Sequence, residues 1–160
     1  MTVNRNILIR RATDKDAPAL KAILYDTYAS TWLPELTREA AGRFRDEDRP
    51  GVYFGARGAL FWIAACDGEP VGFVDWDGDF VNALHVRASH ARMGIGAKLM
   101  DLAEAEIARA GFGAVRLETD TFNTRALAFY AKRGYREADT YSDTEWESGL
   151  TTLLLIKSLR

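Results

Sequence analysis

The sequence predicts a mixed α/β domain with antiparallel strands first and a strand–helix–strand unit later. Three observations carry this expectation. Two Asp-Gly pairs, Asp67-Gly68 and Asp77-Gly78, punctuate runs of apolar and β-branched residues, the pattern of successive hairpins. Residues 81–100, VNALHVRASHARMGIGAKLM, pass from a strand through a polar loop and a Gly94-Ile95-Gly96 turn into an amphipathic helix. A further strand then follows that helix, completing the crossover unit.

Taken in order, Ile7 to Ala12 reads as the first strand. Thr13-Asp14-Lys15-Asp16 fits a capping box with Asp in the place of Glu, and Pro18 is tolerated in the first turn. Leu20, Ile23, Leu24 and Thr27 form the inward stripe of that helix. Ser30 to Pro34, with Trp32, is a break, and Thr37 opens a shorter helix through Asp46. Arg49-Pro50-Gly51 reads as a turn or loop. Leu60 to Ala65, Pro70 to Trp76 and Asp79 to Val86 are three meandering strands. The helix after Gly94 repeats apolar residues at Ile95, Leu99, Leu102, Ala103, Ile107 and Ala110, and Gly111 stops it. Ala114 to Thr119 is a strand, Asn123 caps a helix running to Arg133, and Gly134 ends it. Tyr135 to Tyr141 and Thr151 to Lys157 form a closing strand pair around a polar loop carrying Trp146.

Bulk properties exclude several classes. A length of 160 residues fits one domain, placed at 7–160, and a 48% hydrophobic share supports a core. A single cysteine, Cys66, rules out an internal disulfide and a cysteine-built metal site, and with two histidines no metal centre is expected. No long apolar run suggests a signal peptide or membrane span, so a soluble cytoplasmic protein is expected. The net charge of −2 and the lack of a long basic face argue against nucleic-acid binding.

The glycine pair at the mouth of a helix has a physical use. Glycine lets the main chain approach a ligand, and the first helical amides lack partners at the positive end of the macrodipole. Phosphate suits such a mouth, although a tight packing turn satisfies the same pattern. Charge favours the anion: Phe80 to Met100 has no Asp or Glu but holds His85, Arg87, His90, Arg92 and Lys98. Thr121 to Arg136 is likewise acid-free, with Arg125, Lys132, Arg133 and Arg136. Leu99 stands where a dinucleotide fingerprint needs a third small residue, and the G-K-[ST] of a P-loop is absent.

Leu84-His85-Val86 followed by ARMGIGAKLM resembles the acetyl-CoA-binding motif of the GNAT N-acetyltransferase superfamily. Downstream, NTRALAFYAKRGY, Asn123 to Tyr135, resembles that family's second motif. The resemblance spans residues 7–160. It implies a GNAT-like acyl-CoA N-acyltransferase fold: a central, mostly antiparallel sheet flanked by helices, with parallel fourth and fifth strands that splay apart to admit the pantetheine arm. It also implies acetyl transfer from acetyl-CoA to a primary amine by direct attack, with no covalent enzyme intermediate. The implied coenzyme contacts are Leu84, His85, Val86, Arg92, Met93, Gly94, Ile95, Gly96, Ala97, Lys98, Asn123, Ala126, Phe129, Tyr130 and Lys132. Ala91 stands where the family carries Gln or Arg, which leaves the pyrophosphate to main-chain amides.

Three catalytic tasks follow from the resemblance. The Val86 amide is the expected donor to the developing oxyanion. Tyr130 matches the family's tyrosine and is the expected proton donor to the departing thiolate. Read from periodicity alone, it is an aromatic on the inner helix face, four residues from Ala126. For the acceptor's proton, strict alternation puts Phe80, Asn82, Leu84 and Val86 on one face and Asp79, Val81, Ala83 and His85 on the other. Asn82 then positions water, with no dedicated base; His85 is a packed structural residue, and Glu118 is either a base or a strand-surface ion pair. Acceptor contacts are assigned to Tyr28, Trp32, Trp76, Asn82 and Glu118, with Trp146 among the same loop aromatics. The hairpin acids Asp75, Asp77 and Asp79 are either an attraction for a cation or a solvated turn. The acceptor is expected to be a small polar amine, with a protein N-terminus or lysine as the alternative. A non-catalytic acyl-CoA-binding regulatory module is the competing class, and a homodimer through the closing strands is expected by family analogy.

Overall fold

The computed structural model describes residues 6–143 and 148–160. Among the described residues, seven strands form one sheet: β1 (Ile7–Arg11), β2 (Trp62–Cys66), β3 (Glu69–Asp77), β4 (Phe80–Val86), β5 (Ala114–Asp120), β6 (Arg136–Ser142) and β7 (Thr151–Ser158). Among the same residues, five α-helices flank it: α1 (Ala17–Thr27), α2 (Arg38–Asp46), α3 (Arg49–Arg57), α4 (Ile95–Arg109) and α5 (Thr124–Lys132). The sheet order is β1-β2-β3-β4-β5-β7-β6. Every neighbouring pair is antiparallel except β4 and β5, which run parallel. Antiparallel neighbours need only turns, whereas the parallel pair needs a crossover, which α4 provides.

The sheet buries both faces. On one, Leu99, Met100, Ala103 and Ile107 of α4 and Tyr130 of α5 pack against Val74, Val81, Val115 and Leu117. On the other, Leu20 and Ile23 of α1 and Tyr53 and Phe54 of α3 cover Ile63, Phe73 and Ala83. Ile63 beside Ala64, and Phe73 beside Val74, show the period of two that sends neighbours to opposite layers. Three carboxylates knit the elements. Asp16 accepts from Arg10 (2.8 and 2.9 Å) and from the Thr13 amide (2.7 Å), which ties β1 to the start of α1. Glu104 of α4, 8% exposed, accepts from Tyr135, Arg133 and Lys157, which joins α4, α5 and β7. Fully buried Asp75 of β3 accepts from Arg57 (2.7 and 3.1 Å), Tyr53 (2.6 Å) and Asn82 (3.0 Å).

Three expectations need correction. The Arg49-Pro50-Gly51 turn is instead the first turn of α3: Asp48 takes a left-handed φ of 44° to separate it from α2, and proline is allowed at that position. The break at Ser30 to Pro34 is a π-helical extension of α1 over Tyr28–Trp32. The hairpin acids are not a solvated turn, because Asp75 is clamped by Arg57 and Asp79 pairs with Arg116 at 2.9 Å. Only Asp77 stays exposed.

Candidate active site

The parallel pair β4–β5 is in register at only Phe80–Arg116 and Val81–Leu117. Beyond Val81 the strands separate, and a cleft of about 860 Å³ opens between them. The unpaired edge of β4 can be read from its other side. The Arg87 amide donates to Val71 of β3 at 2.8 Å. Strand amides alternate in direction, so those of Val86 and Leu84 point away from β3 towards the parting, where β5 no longer pairs. Such groups call for a partner.

A β-bulge shapes the same strand. Asp75 is opposite Ala83 and Trp76 is opposite Val81, which leaves Asn82 as the extra residue. The strict alternation expected for β4 therefore fails. Val81 shares the α4 layer with Leu84 and Val86, three and five residues on, while Ala83 packs in the α1–α3 layer. Asn82 turns to Asp75, and because its amide nitrogen donates there, its carbonyl oxygen is left to accept.

His85 is enclosed rather than free. The Thr27 hydroxyl lies 3.1 Å from the Leu24 carbonyl and 2.9 Å from His85 Nδ1, so the imidazole is hydrogen-bonded to the end of α1. Phe73 and Trp32 flank the ring at 5.2 and 5.7 Å. Burial pushes the imidazole down to about 4, so it is neutral near pH 7 and a weak base.

Tyr130 lines the cleft from α5, edge-on to Phe129 at 5.0 Å and Tyr135 at 5.4 Å. Its hydroxyl makes no hydrogen bond among the described residues, and burial raises its pKa, keeping the phenol protonated. Asn123 also lines the cleft, while its side chain caps α5 by accepting from the Ala126 amide at 3.2 Å.

The mouth of α4 sits at the end of β4 where the strands part. Gly94 has a left-handed φ of 77°, which favours glycine at this cap. A Cβ on Gly96 would lie 3.6 Å from Phe129 and 3.9 Å from Val86, so this first turn packs between β4 and α5. Phe129 serves that packing. Arg92 also takes a left-handed φ, 66°, in the loop before the helix. Arg87, which follows β4, buries its Nε with no hydrogen-bond partner among the described residues.

The cleft thus gathers Asn82, Leu84, His85, Asn123, Ala126 and Tyr130 with Tyr28, Trp32 and Glu118, which the sequence assigned to the acceptor. Val86 is not among the residues that line the cleft; its amide is directed towards the parting of the strands, and its side chain packs on the α4 layer. Arg92, Met93, Gly94, Ile95, Gly96, Ala97, Lys98, Phe129 and Lys132 lie outside the cleft lining, as does Trp76, which packs against the α4-side core. Trp146 lies outside the described residues. Glu118, read from sequence as either a base or an ion pair, accepts from the neutral Tyr141 hydroxyl at 2.7 Å.

Residues absent from the sequence reading also line the cleft. Asp120, at the end of β5, accepts from Trp32 Nε1 at 2.6 Å. Tyr28 stacks on Phe44 of α2 at 3.7 Å. Neither pairing has a local sequence signal, because its partners lie far apart in the chain. Among the described residues, no group of three or more His, Cys, Asp or Glu is placed to hold a metal ion. No helix among them is long and apolar enough to cross a membrane.

A mixed sheet with one parallel pair splayed over a cleft, beside a glycine-led helix, defines a protein of the acyl-CoA N-acyltransferase type. The family model described as "Acetyltransferase (GNAT) family" matches residues 18–135, more than half of the chain, and the chain belongs to that family. The chain is 37% identical over 92 residues to a blasticidin-S acetyltransferase from Streptomyces morookaense. That match covers 58% of this chain and 65% of the relative, just under two thirds of its length. A GCN5-related N-acetyltransferase from Rhodopseudomonas palustris superposes with a TM-score of 0.79 at 25% identity, over 99% of both chains. A Thermoplasma acidophilum N-acetyltransferase solved with coenzyme A shares the fold, with a TM-score of 0.77 at 19% identity, over 96% of this chain and 99% of that one.

Proposed function

We propose that the protein transfers the acetyl group of acetyl-CoA to the primary amine of a small polar acceptor by direct attack. The observation that carries this reading is the parting of β4 from β5 after Val81, which opens a cleft lined by Leu84 and Tyr130 and leaves the edge of β4, up to the Val86 amide, unpaired by β5. The residues fit the coenzyme. The first-turn amides of α4, from Ile95 to Ala97, suit a pyrophosphate, and Arg87 supplies a guanidinium nitrogen in want of a partner. The exposed edge of β4 suits the amides of a pantetheine arm.

Acetyl-CoA, when bound, supplies an acetyl group activated as a thioester. The Val86 N–H donates to the carbonyl oxygen as negative charge grows on it. Tyr130, protonated and without a protein partner, donates to the sulfur as it departs. The Asn82 carbonyl oxygen, fixed by Asp75, accepts an N–H from the incoming amine or from its water.

Isothermal titration with acetyl-CoA, followed by a thiol-release screen over amines, tests this reading. The name of the Streptomyces relative puts blasticidin S on that panel. One site per chain and release with at least one amine is the expected result. Binding with no release from any amine favours the non-catalytic module, and no binding overturns the reading.

A further inference from the structure

We infer that Asp120, held by Trp32, is the carboxylate that docks the acceptor's ammonium group and takes its first proton. The inference rests on the acetyl-transfer reading and adds to it a substrate class: acceptors whose reacting nitrogen arrives as a cation.

Position comes first. Asp120 ends β5 three residues beyond Leu117, the last residue of β5 in register with β4, so it stands on the cleft wall facing β4. Trp32 spans that cleft. Its ring lies 5.7 Å from His85 of β4, and its Nε1 donates to Asp120 Oδ2 at 2.6 Å. One oxygen is thereby fixed, and no described side chain occupies the other. The indole is carried by the π-helical turn after α1, a local irregularity of the kind that serves functional sites.

Charge comes second. The ionisable groups facing Asp120 are Glu118 on its own strand and Asp143 after β6, and both oppose its negative charge. His85 across the cleft is neutral, and Tyr130 and Tyr141 remain phenols. Arg57, the cation that lines the cleft, is committed to Asp75. No cation among the described residues pairs with Asp120. A half-buried carboxylate among other carboxylates, with a neutral indole as its side-chain donor, lacks the counterion that such a group needs. An ammonium substrate supplies it. Burial also raises the Asp120 pKa, which brings it towards proton acceptance.

The step balances. R–NH3+ gives one proton to the Asp120 carboxylate and becomes R–NH2. The nitrogen lone pair forms the N–C bond as the C–S bond breaks and its electrons leave with sulfur. The nitrogen's second proton replaces the one that sulfur takes from Tyr130, and protonated Asp120 returns its proton to solvent.

The test uses the full chain with acetyl-CoA and four amines: blasticidin S, tyramine, spermidine and an alanine-initiated peptide amide. Asp120→Asn should lower kcat/KM for the best cationic amine by about 10²–10⁴-fold while the acetyl-CoA Kd stays within about twofold. Asp120→Glu should recover part of the loss. Trp32→Phe removes the stabilising N–H together with part of the ring, so the carboxylate's pKa rises and the acidic limb of the pH–rate profile moves to higher pH. A merely structural tryptophan would leave that limb in place. If Asp120→Asn fails to bind acetyl-CoA, the Trp32→Phe profile decides. Asp120→Asn turning over within about threefold of the parent, or an unmoved acidic limb, overturns this inference alone. Acetyl-CoA binding with no amine turned over overturns the acetyl-transfer reading, and this inference with it.

Discussion

Replacing Tyr130 by Phe removes one hydroxyl from the cleft and nothing else. The ring is 8% exposed and keeps its edge contacts with Phe129 and Tyr135. Because the hydroxyl has no hydrogen bond to lose among the described residues, folding stability should change by less than about 0.5 kcal/mol. The catalytic cost follows from acidity. Burial lifts the phenol above its ordinary value of about 10, while a free thiol sits near 8.5. Full proton transfer to the thiolate is therefore uphill by about 1.4 kcal/mol for every unit between them. On the proposed acetyl transfer, Tyr130 would contribute mainly a charge-assisted hydrogen bond to the departing sulfur, about 1.5–3 kcal/mol. At about 1.4 kcal/mol per decade, that is roughly 10- to 150-fold, which meets the lower end of general-acid effects near 10². Tyr130→Phe should therefore lower kcat about 100-fold with acetyl-CoA affinity unchanged. Thiol release at saturating substrates measures the first and titration calorimetry the second. Turnover within about threefold of the parent would refute the role.

Two further predictions concern the frame. Glu104→Ala strands Lys157 and Arg133 beside an empty site; since their side chains stay 24% and 14% exposed and reach water, the loss should be about 3 kcal/mol, the low end for a broken buried ion pair. Urea unfolding checks it, and a loss under about 1 kcal/mol would show the pairing to be a surface one. His85, held at about 4 in the folded chain, sits near 6.5 when unfolded. Between these values only the unfolded state takes up the proton, so stability falls as pH drops from about 6.5 towards 4, by up to about 3 kcal/mol from this group. NMR titration of the folded protein should show this imidazole still neutral at pH 5.5, and a midpoint near 6.5 would contradict the enclosed environment.

Local sequence carried what local physics determines. The Asp-Gly hairpins, the strand that feeds Gly94, the apolar steps of α4 and the Asn123 cap of α5 are each set by neighbours a few residues away, and each was readable. So were the two family motifs, because ligand-gripping backbone needs glycine, alanine and asparagine at fixed steps. The helix α3 was missed because Arg49-Pro50-Gly51 reads as punctuation, and proline at a helix start looks the same as proline in a turn. The face assigned to Asn82 was wrong because a bulge inserts one residue without any signature in composition.

Only the tertiary structure decided how the cleft is equipped. Trp32 and Asp120 meet across 88 residues of chain, His85 and Thr27 across 58, and Asp75 and Arg57 across 18. No periodicity links such partners. Their encounter depends on α1 and α3 covering one face of a sheet whose fourth and fifth strands part. Sequence by itself determined the family, the glycine-led helix and the tyrosine on α5. The assembled sheet decided which carboxylate lines the cleft beside an indole and which histidine is packed between Phe73 and Trp32, because burial and charge compensation are properties of surroundings rather than of residues.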